Sequence, residues 1–154
     1  MTLVKVLFGL NGRVGRGTLW LTAIIWAALL LGILAIGMML DALDLALRLA
    51  SIVYVLAIAS GISLGIRRLH DRDKSPLWLI LFYGVPAAIL VLSSWFVGGA
   101  DSSSLPLAVT ALQYVNLAIL VWGLVELGII RGTIGPNRHG ADPIAPKPAP
   151  ARAH

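Results

Sequence analysis

The chain has 154 residues, 58% of them hydrophobic and only 12% charged, with a formal net charge of +5 and no cysteine. A soluble domain carries about 25% charged residues, so a water-soluble globule is excluded, and the lack of cysteine excludes a disulfide framework, thiolate metal sites and a cysteine nucleophile. The mean hydropathy of +0.91 is that of a membrane protein, in which surplus positive charge reports orientation before it reports nucleic acid.

The chain opens with MTLVKVLFGL, where Leu3, Val6, Leu7 and Leu10 recur at helical spacing and Lys5 stands off that stripe. The pattern predicts a short helix lying on the inner leaflet, within a cytoplasmic arm over 1–17. A first apolar run follows at 18–40. It exceeds the roughly 7–15 apolar residues of a signal peptide and reads as a retained span. The second run, 45–66, has Arg48 near its start and Asp41 and Asp44 as candidate caps. The third, 76–97, begins with Ser75-Pro76, a cap followed by a first-turn proline, and ends at Gly98-Gly99. The fourth, 105–130, is introduced by Ser104 and Pro106. A helix needs about 20 apolar residues to cross a hydrocarbon core of about 30 Å, and a helix satisfies its own backbone in lipid. The expected fold is therefore all-α, with four transmembrane helices over 18–130. A Gly/Pro-rich cytoplasmic tail, 131–154, follows, and its last part is expected to be disordered.

Charge sets the orientation. Lys5, Arg13 and Arg16 precede the first run. Arg67, Arg68, Arg72 and Lys74 lie between the second and third. Arg131, Arg138, Lys147 and Arg152 follow the fourth, which leaves Arg48 alone on the opposite face. The positive-inside rule then places both termini and the central loop in the cytoplasm. Trp20, Trp78 and Trp95 stand at interfacial anchor positions, whereas Trp26 and Trp122 lie deeper and read as packing residues.

Three polar motifs interrupt the apolar sequence: NGRVGRGTLW at 11–20, RRLHDRDKS at 67–75 and GTIGPNRHGADP at 132–143. In that order they resemble the hallmarks of the bacterial inner-membrane family called domain of unknown function 805. Its entry to the first helix reads Gly-Arg-x-x-Arg-x-x-x-Trp, and its ending reads Gly-x-Asn-Arg-Tyr-Gly-x-Asp-Pro. His139 stands here in place of that tyrosine, and Pro76-Leu77 in place of a small residue and tryptophan. The resemblance implies a four-helix inner-membrane protein and no particular activity.

The charge count brings all three motifs to one face. Asp71 and Asp73 are then within reach of Arg13, Arg16 or Arg138 as a structural ion-pair cluster. The sharper alternative is a site for an anionic headgroup or phosphate built on Arg67 and Arg68, since guanidinium forks match phosphate geometry. A catalytic His70–Asp71 unit is disfavoured, because neighbours in a loop rarely orient each other. No catalytic residue is assigned. A metal site from His70, Asp71, Asp73 and His139 follows no standard spacing, and no cofactor is expected.

Inside the spans, Glu126 is the one deep carboxylate, with Arg67 or Arg68 as expected partner. Gln113, Asn116, Gly123 and Glu126 share a helix arc that should face the bundle, where the amides form interhelical hydrogen bonds or line a solute path. Ala57, Gly61 and Gly65 form a small-residue stripe that allows close packing. The favoured function is a non-enzymatic module that binds anionic lipid of the inner leaflet or a membrane partner, including a second copy. The alternatives are a small oligomeric transporter or channel and a lipid-headgroup-modifying enzyme. No polar DNA-reading helix or nucleotide loop is present, so nucleic acid is not an expected partner.

Overall fold

The computed structural model describes residues 3–97 and 107–144, and among these it is all-helical, without strands. The order is α1 (Leu3–Phe8), α2 (Arg16–Met39), α3 (Leu43–Asp71), a π-helical segment at Ile80–Gly84 continuous with α4 (Val85–Val97), then α5 (Leu107–Leu124) running into a second π segment at Val125–Ile129. Among the described residues, three helices are long and apolar enough to cross a membrane: Arg16–Met39, Leu43–Asp71 and Leu107–Ile129. The apolar helix Ile80–Trp95 is shorter. Most of their large apolar side chains face outward, Leu31, Ile52, Leu92 and Val115 among them, as suits helices solvated by lipid.

The second helix departs from expectation at both ends. Asp41 and Asp44 do not cap it. Its N-cap is Ala42, without a side-chain hydrogen bond, while Asp41 takes φ 53° in the tight turn after α2. The turn is tight because Gly37 admits Ala46 where a Cβ would collide. At the other end the helix outruns the apolar stretch. Arg67–Asp71 forms its last turn, not a loop, and the true loop is residues 72–77. Cations are favoured there because a helix C-terminus is negative.

The third helix starts at Trp78, two residues later than expected: Ser75 Oγ accepts the N–H of Leu77 at 3.3 Å in the turn before it, and Pro76 lies in that turn and not at the first helical position. The π segment has a cause in the sequence. Pro86 has no N–H to donate to the turn before it, and a widened turn accommodates the loss. In α1, Val6 and Leu7 are half-buried, but Leu10 lies beyond the helix and is exposed with Val4 and Phe8. The caps at 98–99, 104 and 106, and the tail beyond 144, lie outside the described residues.

Two hairpins result, α2–α3 and α4–α5. They are joined at the basic end, where the second π segment packs on α2 and α3 and the first packs on α5. Leu69, Leu79, Phe82 and Leu127 form the core of this joint. Trp78, Phe82 and Trp122 meet beside it, with ring centroids 5.5–5.9 Å apart. Gly123 lets Phe82 approach, and Gly65 lets Leu79 approach. Away from the joint, neither α4 nor α5 packs comparably on α2 or α3.

Candidate functional site

The three motifs converge on the basic end. Asp71 is their centre and is 1% exposed. Its Oδ1 accepts from Arg13 Nε at 3.0 Å, and its Oδ2 accepts from Arg68 Nη1, one turn back on the same helix. Arg13 continues into the tail. It donates through Nη1 to Gly135 O at 2.6 Å and through Nη2 to Thr133 O at 2.6 Å. Thr133 returns two bonds to the end of α3, from its N–H and its hydroxyl to Asp71 O. Asn137 donates to His70 O at 2.9 Å. Gly132 passes directly against the Asp71 carboxylate, where a Cβ would overlap both oxygens.

The tail motif explains itself as a turn. Asn137 and Gly140 exchange backbone hydrogen bonds, with Gly140 at φ 132° and Gly135 at φ 80°. Asp142 accepts the N–H groups of Ile144 (2.9 Å) and Gly135 (3.1 Å), and these hold its carboxyl below its ordinary pKa. A lowered folded pKa means this support is complete above the unfolded value and is lost as pH falls through the folded one. We expect Asp142→Ala to speed amide exchange at Gly135 and Ile144 while leaving the thermal midpoint of the bundle unchanged.

Arg16, Trp20 and Arg68 perform one task together. The last four carbonyls of a helix have no partner within it. Here Leu127 O accepts from Arg68 Nε at 2.7 Å, Gly128 O from Trp20 Nε1 at 2.9 Å, Ile129 O from Arg16 Nη1 at 3.2 Å, and Ile130 O from Arg68 Nη2. Arg16 and Trp20 are four apart, so they present one face of α2 to successive carbonyls of the second π segment. Gly128 lets the Trp20 ring come within 3.0 Å of where a Cβ would stand. Arg67 does the same for α1, donating to Lys5 O and Val6 O, while Ser63 Oγ donates to Gly9 O.

These contacts correct the reading of the arginine pair as a phosphate fork. Arg68 is wholly buried, and all three of its nitrogens are bonded within the chain. Arg67 is 3% exposed, its terminal nitrogens face carbonyls, and only its buried Nε lacks a partner. His70 and Asp71 do not orient each other. His70 lies 3.3 Å from Gly12 O and stacks on His139 at 3.9 Å. No group of three metal-ligating side chains occurs among the described residues.

Glu126 is also corrected. It is buried, as expected, but its partners are Lys74 and Arg72 (Nε 3.1 Å) from the loop after α3, not Arg67 or Arg68. Lys74 Nζ also lies 5.1 Å from the centroid of the Trp78 ring. Arg138 pairs with Asp73 at 2.7 Å on the exposed rim. Asn116 is buried and Gln113 half-buried, yet Asn116 Oδ1 has no hydrogen-bond partner, nor have Ser60 Oγ, Ser93 Oγ and Trp26 Nε1. Sequence reasoning missed Thr133, Asn137, Trp20 and Gly132 as parts of the knot. Their motif positions were the available signal. We expect Glu126→Gln, which leaves two cations facing a neutral amide, to destabilise the protein by about 1–3 kcal/mol in chemical denaturation.

A bundle of lipid-facing helices tied at one end by buried arginines is a polytopic α-helical membrane protein. The family profile "Protein of unknown function (DUF805)" matches residues 7–141, and the chain belongs to that family. It is 31% identical to Uncharacterized protein YiiR of Escherichia coli K12, over 92% of this chain and 90% of the relative. It is also 31% identical to Inner membrane protein YhaI of the same strain, over 93% and 92%. No solved structure matches the chain.

Proposed function

We propose that the chain is a non-enzymatic module of the bacterial inner membrane. It has four spans and both termini in the cytoplasm, and its knotted basic face rests on anionic lipid headgroups. The observation that carries this reading is a charge imbalance within one compact cluster. Among the described residues, Arg13, Arg16, Arg67, Arg68, Arg72, Lys74, Arg131 and Arg138 are opposed by Asp71, Asp73, Glu126 and Asp142. Four cations are left over, and each cation near an anionic leaflet contributes about 1 kcal/mol. The third span is supported by the continuous helix from 78 to 97, which at 1.5 Å per residue reaches about 30 Å. Against an enzyme stands the use of each motif group. Both Asp71 oxygens are held by arginines, so that carboxylate is not placed to take a proton from a substrate.

The test is thermal stability in detergent with added phosphatidylglycerol or phosphatidylcholine. Phosphatidylglycerol is expected to raise the midpoint and phosphatidylcholine not to, with the difference shrinking at 0.5 M salt as screening shortens. Equal effects of the two lipids would overturn the reading. For topology, a fluorescent protein fused to the C-terminus should fold and fluoresce, as it does only in the cytoplasm.

A further inference from the structure

The hairpins meet at the basic end and part beyond it, leaving a crevice of about 540 Å³ between them. Its floor is Leu19, Trp20, Leu127 and Gly128, and it extends along α2 as far as Leu30. From Leu19 to Leu30 is about 16 Å at 1.5 Å per residue. The walls are almost wholly apolar. Leu120 and Leu124 of α5 line it and are 45% and 51% exposed, as Trp20 of α2 is at 42%. Tyr54, Ile58 and Ile62 of α3 and Tyr83 of the first π segment also line it and are 43–57% exposed, so the crevice is open toward lipid on both sides, one of them between α2 and α5.

At the basic end of the α2 and α5 walls the chain carries two exposed cations with spare donors, Arg16 and Arg131, the latter also in the field of Asp142. Arg16 lies one turn before Trp20 and uses only Nη1, on Ile129 O. Arg131 follows two residues after Ile129, is exposed, and makes no hydrogen bond or ion pair among the described residues. An apolar slot with guanidinium groups near its inner end complements an anionic glycerophospholipid.

We propose that the crevice holds one acyl chain of an anionic phospholipid of the inner leaflet, with the phosphate between Arg16 and Arg131. This rests on the reading of the basic face as an anionic-lipid surface and adds a defined, stoichiometric site to it. Gly61 supplies the control. It lines the crevice, and a Cβ built on it meets nothing within 4 Å. Gly61→Phe therefore starts its side chain in open space on the crevice wall and directs a ring into the crevice, and removing a helical glycine favours the helix.

The experiment is native mass spectrometry of protein released from nanodiscs of equal phosphatidylglycerol and phosphatidylcholine. Wild type is expected to retain one phosphatidylglycerol per chain. Gly61→Phe should lose it with an unchanged thermal midpoint. Arg131→Gln should keep one lipid but lower the preference for phosphatidylglycerol about fivefold, the loss of one cation at the surface. Retention unaffected by Gly61→Phe would mean annular lipid only and would sink the site, even if phosphatidylglycerol still stabilises the protein. A retained lipid without headgroup preference in wild type would sink the phosphate contact.

Discussion

Replacing Arg68 with alanine will unfold the basic end of the bundle, at a cost of about 3–5 kcal/mol, the range for breaking a buried ion pair by removing one partner. Three losses coincide. Asp71 keeps only Arg13, and the carbonyls of buried Leu127 and of Ile130 lose their donors. The informative comparison is Arg68→Lys, which keeps the charge. The guanidinium reaches three acceptors on two sides through a rigid fork, which a single ammonium on a flexible stem cannot do. Lysine should therefore recover less than half of the loss in a denaturant titration. If lysine restored wild-type stability, Arg68 would matter as a charge, and the capping of the π segment that ends α5 would be incidental.

The contrast with Arg67 shows how the motif divides its work. Arg67 holds α1 against the bundle, and Arg68 holds the π segment that ends α5. Adjacent residues on a helix point about 100° apart, so a consecutive pair can reach two different elements. Neither is left free to bind a ligand through its fork. What remains for headgroups is the charge itself and the cations at the rim, which is why the lipid proposal turns on Arg16 and Arg131.

Much of this was legible in the sequence. The apolar runs located the long helices, because only composition and length decide what lipid will solvate. The three motifs were correctly brought to one end, and the pairing of Asp71 with Arg13 and of Asp73 with Arg138 lay within the pairings considered. The end of α3 was misjudged because the apolar run stops at Ile66, whereas arginine, leucine, histidine and aspartate continue a helix readily where protein, not lipid, surrounds it. The partner of Glu126 was misjudged for a different reason. Arg67 and Arg68 do end their helix on the same side as Glu126, but their nitrogens are spent on the carbonyls of α1 and of the second π segment and on Asp71, which leaves the carboxylate to Arg72 and Lys74. Pro86 hints at the first π segment. Nothing comparable marks the second, whose wide turn is visible only with Trp20 and Arg68 seated on its carbonyls.

Gly132→Ala will detach the tail from the bundle while leaving the spans folded. A methyl group at this position would overlap the Asp71 carboxylate, and neither side yields easily. Asp71 is held by Arg13 and Arg68, and residue 133 is tied to Asp71 O by two bonds. Overpacking at so constrained a contact costs about 1–3 kcal/mol. The strain is relieved most cheaply by releasing the tail, because its turn rests on Arg13, Asn137 and Arg138 and buries little apolar surface. The expected readout is amide exchange. Residues 133–142 should lose protection, while the amides of α2 and α3 keep theirs. The Arg138–Asp73 pair should open with the tail, so a double-mutant cycle between those two residues should show their coupling fall toward zero in the Gly132→Ala background. Unchanged protection of the tail would mean that it does not seat on Asp71. The Asn-Arg-His-Gly turn would then need another anchor.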